Sequence, residues 1–482
     1  MLKKDCFIDI HCHNTMRAWH NHTPNNPTNL WDKNTNQLID SKVGRFAINQ
    51  SKGVAKYSQS NLYSCINGGV RVILDSLYPL ERGFINSESI SGKIIGKKGA
   101  KALVVNATGL SEYRYDYYKE NEDYFKELCE QYEFLVSSQG KSPCGNFAYK
   151  VFNNYESLIK WLSQDENNLA VIVTIEGAHV FGCGLDSSFN KNPKELETTL
   201  LKNIKKVKAW KYPPFFITFA HHFWNQLCGH ATTLPRTTKL FCNQKKGLDT
   251  GFTSLGKKVL NELLSTKNGK RILIDIRHMS IEARVEYYSL VKKHNTNNPN
   301  DLIPIISSHT AVNGFETIQE SIEKKDNMQK VNSSDFFSWS INLSKEEIEI
   351  IHDSNGIIGI ILDKGRHGGA KKLKRINAIK NKSIQKQAYL ELILDNVFFY
   401  IQAVGKKTAW DMLTLGSDFD GVITHFDVYD SMDKMASLKA DLINYLESTK
   451  YKQEFWFSYN PHQILDKIFH FNANEFLKTY FT

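Results

Sequence analysis

The stretch FIDIHCH, residues 7–13, is a short apolar run that ends in two histidines. Four more runs repeat the plan: AVIVTIEGAH (170–179), ILIDIRH (272–278), IPIISSH (303–309) and TLGSDFDG (414–421). Short apolar strands that finish in metal-binding or acidic side chains are the linear image of a parallel β/α barrel, because such barrels carry their functional groups at the C-terminal strand ends.

Working outward from these runs, the intervening chain alternates in the same sense. Helical patterns at 112–136, in YESLIKWLSQ (155–164), at 194–209, in SLGKKVLNELL (254–264), at 281–293 and at 376–403 separate strands GGVRVILDSLYPL (68–80), FFITFAH (215–221) and GIIGIILD (356–363). That is a βαβ rhythm. Ser344 followed by Glu347 has the capping-box spacing for a helix over 344–353. The expected fold is therefore α/β, a (β/α)8 TIM barrel forming a single unit over 1–482. Long loop insertions are expected near 14–60, 81–110 and 310–338, since a barrel alone takes about 250 residues.

With 41% hydrophobic and 23% charged residues, the 482-residue chain is globular rather than disordered. A formal charge of +10 is diluted over that length, so nucleic acid is not an expected partner. The densest basic stretch, KGRHGGAKKLKRINAIKNK (364–382), reads first as a solvated loop and helix start. Eight cysteines without a CxxC pair do not resemble a disulfide framework. No signal peptide or membrane span is evident, and the expected location is cytoplasmic.

In FIDIHCH the strand period of two puts His11 and His13 on one face with Asp9. Taken alone the motif is weak, because 16 histidines produce roughly 0.5 HxH pairs by chance in such a chain. A second pair, His20 and His22, lies in a polar stretch and is expected in a lid or surface loop. Glu176 stands where an apolar strand opens into a turn, and a carboxylate there can bridge two cations. His278 and His309 each close an apolar strand in consecutive β/α units. Asp418 could bind a metal and exchange a proton, while Asp420 reads as structural in the turn. His221 and His222 are both placed to polarise a substrate, and the pattern does not choose between them. Together His11, His13, Glu176, His278, His309 and Asp418 offer nitrogen and oxygen ligands without thiolate, which suits zinc. A metal-bridging hydroxide would be the nucleophile, with the neighbouring acid passing its proton to the leaving group.

The order of these motifs resembles that of the membrane (renal) dipeptidases, zinc peptidases of the amidohydrolase superfamily. The likeness runs over nearly the whole chain and includes GLDTGFTSLGKKVLNELL (247–264), INLSKEEIEIIHDSNGIIGI (341–360) and LGSDFDG (415–421). It implies two zinc ions bridged by Glu176, with His11 and His13 on one and His278 and His309 on the other. It further implies Asp418 as the proton-handling acid, His221 as the residue steadying the oxyanion, and substrate contacts from His221 and Asn225. A small peptide or amide substrate and a homodimer are also implied. The chain departs from the family in two places. Its first strand carries HxH in place of HxD, and FFSWSINLSKEE (336–347) lacks the arginine that grips the substrate's carboxylate. The expected replacement is Lys364, Arg366 or His367, on the loop after a barrel strand; Arg366→Ala should then raise KM for a carboxylate substrate. Other readings are the same barrel acting on a lactone, cyclic amide or phosphoester, and a noncatalytic binder of anionic ligands.

Overall fold

The computed structural model describes residues 6–85, 90–234, 242–324 and 335–482. Its ten strands are β1 Phe7–Cys12, β2 Val70–Leu77, β3 Gly140–Lys141, β4 Ala148–Phe152, β5 Asn168–Glu176, β6 Phe216–Thr218, β7 Leu273–Asp275, β8 Ile306–Thr310, β9 Ile357–Ile360 and β10 Leu413–Leu415. Eight of them close a parallel barrel in the order β1-β2-β5-β6-β7-β8-β9-β10, with β10 returning to pair with β1. The fold is thus the (β/α)8 barrel that the strand-end pattern predicts.

β5 is buried along all nine residues, as a strand covered on both faces must be, and this explains its unbroken apolar sequence. One edge of β5 pairs with β2. The other is shared: Asn168–Ile172 pairs with β4, whereas Ile175 and Glu176 pair with β6. The β3–β4 hairpin is an addition that the sequence reading lacks, although AYKVF (148–152) alternates with the period of a strand. β6 is shorter than FFITFAH suggests, because the chain leaves the sheet after Thr218 and carries His221 into a loop.

Helices pack around this barrel. In Pro193–Lys208, Leu196, Leu200, Ile204 and Val207 form the buried face, and the Asn192 side chain accepts from Lys194 N at the start. The helix over 112–136 is two helices, Glu112–Glu120 and Tyr124–Ser137, the second capped by Asp123. At Ser344 the capping box is formed: Glu347 Oε2 accepts from Ser344 N and from Ser344 Oγ, both at 3.0 Å.

The other oxygen of Glu347 takes part in a buried ion pair with Arg284 Nε at 2.7 Å, and Arg284 also donates to the carbonyls of Met279 and Ser340. This joins helix Ile281–Asn297 to helix Lys345–Asp353. Arg284→Met should cost about 3–5 kcal/mol, because Glu347 would be left charged and unpaired in the interior. A urea titration reads this as a lower midpoint with unchanged slope.

The 14–60 region is not a plain loop. It begins with helix Asn14–Asn21, all eight residues of which are buried, and contains helix Lys42–Gln50. His20 is therefore a buried helical residue, not part of a polar surface loop; His22 stacks on Trp19 and accepts from Thr28 N. The excursion after β2 is likewise helical over Ile90–Thr108, broken at Gly96, where φ is +68°. Residues 310–338 contain helix Ile318–Lys324, and the parts of the expected insertions at 86–89 and 325–334 lie outside the described residues.

Candidate metal and active site

Every functional group proposed from the strand ends comes to the C-terminal mouth of the barrel. Glu176 is at the centre. Its Oε1 lies 3.6 Å from His11 Nε2, 3.5 Å from His278 Nε2 and 3.6 Å from His309 Nε2. Its Oε2 lies 3.1 Å from His13 Nε2 and 3.4 Å from His221 Nε2. Asp418 Oδ1 closes the group from β10, 3.8 Å from His11 Nε2 and 3.6 Å from His13 Nε2. Two sets of ligand atoms, His11/His13/Asp418 and Glu176/His278/His309, are each within 4.8 Å of one another.

The backbone is bent to achieve this. His278 and Asp418 adopt φ of +66° and +59°, a left-handed conformation that β-carbon sterics disfavour. For Asp418 the turn is held by its own N–H, which donates to His11 O at 2.9 Å. Such strain is concentrated where side chains must be aimed.

A second layer of contacts sets the imidazole tautomers. His13 Nδ1–H donates to Ser76 O at 3.0 Å, which directs Nε2 toward Glu176. Ser308 Oγ donates to Asp275 Oδ2 at 2.6 Å and accepts from His309 Nδ1 at 2.8 Å, with His11 Nδ1 at 3.3 Å. Partners of this kind orient metal-binding histidines.

Electrostatics follow from burial. Loss of water pushes His11 down to about 3 and holds His278 and His309 well below the ordinary imidazole value, so these rings are neutral donors. Burial opposes charge on His13 as well, but Glu176 and Asp418 outweigh it and raise the ring well above its usual value. Glu176 would also rise on burial, yet His221, His13 and His11 hold it well below the carboxylate range. Asp418 is raised to about 6 by burial, with Glu176 pushing the same way.

These residues fit divalent cations. His11 Nε2, His13 Nε2 and Glu176 Oε1 are buried and have no hydrogen-bond partner, although buried polar atoms are nearly always satisfied. Convergent lone pairs on neutral imidazoles and an ionised carboxylate have no reason to face one another except around positive charge.

The structure separates His221 from His222. His221 Nδ1–H donates to Glu81 Oε2 at 2.6 Å, which directs Nε2 at Glu176; His222 turns its Nδ1 to Thr233 Oγ1 at 2.7 Å. Glu81, which the sequence reading missed, is buried and also accepts from the backbone of His222 and Phe223 and from Tyr78 Oη. Burial would raise it, but His221 keeps it ionised.

Three expected contributors, Asn225, Lys364 and His367, are engaged elsewhere. Asn225 donates to Phe219 O and accepts from Leu227 N and Cys228 N, so its amide folds the loop after β6 rather than reaching for a substrate. Lys364 pairs with Asp427, and His367 is fully buried with Nε2 on Ile361 O at 2.6 Å. Arg366 donates to Thr233 O at 2.7 Å and lies 3.7 Å from Asp363 Oδ2. Asp420 is structural: it accepts from Arg17 Nε, Gln59 N, Ser60 N and Ser60 Oγ.

No protein-family model and no curated protein matches the chain. Among solved structures it is similar to the dipeptidase AC, a metallopeptidase, at 13% identity and a TM-score of 0.51, with 99% of each chain covered. A metallopeptidase from Rhodobacter sphaeroides, liganded with a phosphinate mimic of the dipeptide L-Ala-D-Ala, aligns at 13% identity and a TM-score of 0.50 over 98% of this chain and 99% of that one. The probable dipeptidase PvdM from Pseudomonas aeruginosa aligns at 14% identity and a TM-score of 0.49, covering 91% and 98%. Among the described residues no helix is long and apolar enough to cross a membrane. The chain therefore has the barrel fold of these metallopeptidases.

Proposed function

We propose that this protein is a metal-dependent hydrolase, dipeptidase-like, that cleaves the amide bond of a dipeptide or similar small substrate. The observation that carries the reading is the bidentate environment of Glu176, with Oε1 set among His278, His309 and His11 and Oε2 beside His13. His11 and His13 would hold one zinc ion, His278 and His309 the other, and Glu176 would bridge them. Bound there, the metal pair supplies Lewis acidity and activates water.

The chain's own residues do the rest. Asp418, beside His11 and His13, accepts the proton released as water attacks and delivers it to the departing amine nitrogen. His221 Nε2 donates to the oxygen that gains charge in the transition state. Glu176 and Glu81 outweigh burial and favour the protonated ring, which Glu81 orients by accepting from Nδ1–H. Arg366 contributes positive charge near Asp418. Strand ends and paired loops keep these groups almost wholly out of water, which strengthens each interaction.

The likeness to metallopeptidases across almost the full chain supports this reading over a noncatalytic binder. The test is metal analysis of the purified protein together with hydrolysis of dipeptides of both stereochemistries at the second residue. About two zinc ions per chain and chelator-sensitive cleavage are expected. Metal binding with turnover only of lactones, cyclic amides or phosphoesters would move the reading to another bond, and no bound metal would overturn it. Glu81→Gln should lower kcat by about 10²-fold, the scale of one misdirected oxyanion donor, with KM and zinc content unchanged. An equal fall for a substrate that needs no oxyanion stabilisation would reject the positioning role.

A further inference from the structure

Arg277 immediately precedes His278 and is buried as deeply as the histidines around it, with 2% of its surface exposed. It lies in the turn that follows β7, at the mouth of the barrel, where its backbone N–H donates to Asp275, the last residue of the strand, whose carboxylate also accepts from Thr218 Oγ1 and Ser308 Oγ. There Nη1 donates to Thr310 Oγ1 at 3.0 Å, beside His309, and to Ile341 O at 2.7 Å, with Asn342 Oδ1 at 3.5 Å.

The opposite edge of the same group is unclaimed. Nε is buried with no hydrogen-bond partner, and among the described residues none bonds to Nη2. No carboxylate among the described residues comes within ion-pair distance of Arg277; of the other buried arginines, Arg17, Arg82 and Arg284 each have one, and Arg114 is instead stacked on Trp19 and bonded to its carbonyl. A buried guanidinium held by neutral oxygens on one side only is costly unless something anionic completes it.

Its surroundings point to where that anion would sit. Arg277 adjoins His278 in the chain and touches Thr310, which adjoins His309, so its unclaimed Nε lies beside the two histidines that would hold a metal. Burial, together with the positive charge of Arg366, lowers Arg277 to about 9, with Asp418 and Asp275 acting in the opposite sense. Asp363 is within ion-pair distance of Arg366 and not of Arg277.

We propose that Arg277 is a specificity-determining residue that receives a carboxylate of the substrate on its Nε/Nη2 edge. This rests on the hydrolase reading for the identity of the site, and it names the chemistry of the ligand: a small molecule with a free carboxylate on one side of the scissile bond. The planar fork of arginine suits that bidentate contact, and lysine would not reproduce it. Arg366 acts as an outer charge and not as the primary contact.

The assignment is tested by calorimetric titration of the zinc-loaded protein with a phosphinate dipeptide mimic and with its methyl ester at the carboxylate, without reference to turnover. Wild type should bind the acid about 30-fold more tightly than the ester, the scale of a charge-assisted bidentate contact. In Arg277→Met that preference should vanish through weaker binding of the acid, with the ester and the zinc content little changed. Arg277→Lys should recover part of the preference and serves if the methionine variant does not fold. Arg366→Ala should keep most of it. Equal binding of acid and ester by wild type, failure of the acid to bind, equal loss of both ligands in Arg277→Lys, or collapse of the preference in Arg366→Ala alone would each overturn the assignment. Acid-selective binding by a protein that cleaves no dipeptide would sink the hydrolase reading and leave Arg277 in place.

Discussion

Glutamine at position 176 is expected to abolish tight metal retention and to lower hydrolysis by at least about 10³-fold, equivalent to roughly 4 kcal/mol of lost transition-state stabilisation. The substitution keeps the shape of the side chain but removes the negative charge on which three imidazoles converge through Oε1 and two through Oε2. Without it, two cations would be placed side by side with Asp418 as the one carboxylate left among the grouped ligands to offset their repulsion. A metal ligand that binds only the folded state raises the melting temperature by mass action. Zinc should therefore stabilise wild type and leave Glu176→Gln almost unmoved. Retention of both the thermal shift and the activity would remove Glu176 from the centre of the site.

Asparagine at position 418 should have the second largest effect, about 10²–10⁴-fold on kcat, the range attributed to a positioned acid–base group. This replacement is clean for a structural reason. Residue 418 has φ of +59°, a left-handed conformation that asparagine tolerates better than most side chains, so the turn should survive. What disappears is the ability to take up a proton beside His11 and His13. Zinc on the His278/His309 side should persist, and the fall should appear in kcat far more than in KM. An unchanged kcat with intact metal content would reassign the proton transfer to another group.

Much of this architecture was legible because barrel strands are covered on both faces and so become apolar words that end abruptly. β5 illustrates it: AVIVTI is buried throughout, and the acid that follows has little choice but to stand at the mouth. The Ser344–Glu347 capping box was readable for a different reason, since its chemistry is local to four residues. Less was legible where a side chain's partner is remote in sequence. Glu81 and Arg277 sit in YPLER and DIRH without any motif of their own, and their meaning appears only when His221 and Thr310 are brought to them. Asn225 misled for the converse reason. A polar residue next to a functional histidine looked like a substrate contact, whereas its amide satisfies three backbone groups of its own loop. The region after β1 read as loop because it is rich in Asn, Lys, Ser and Pro, yet helix Asn14–Asn21 buries its own Asn, His and Arg side chains in a polar network.

That network has a mechanical corollary through Asp420. One carboxylate ties Arg17, Gln59 and Ser60, the two ends of the long excursion after the first strand, to a point two residues beyond Asp418. The excursion and the proton-handling turn consequently share a single rivet. Cutting the chain between residues 22 and 58, or loosening Arg17, would be felt as a wandering Asp418, so lesions that never approach the histidines would register as slower turnover.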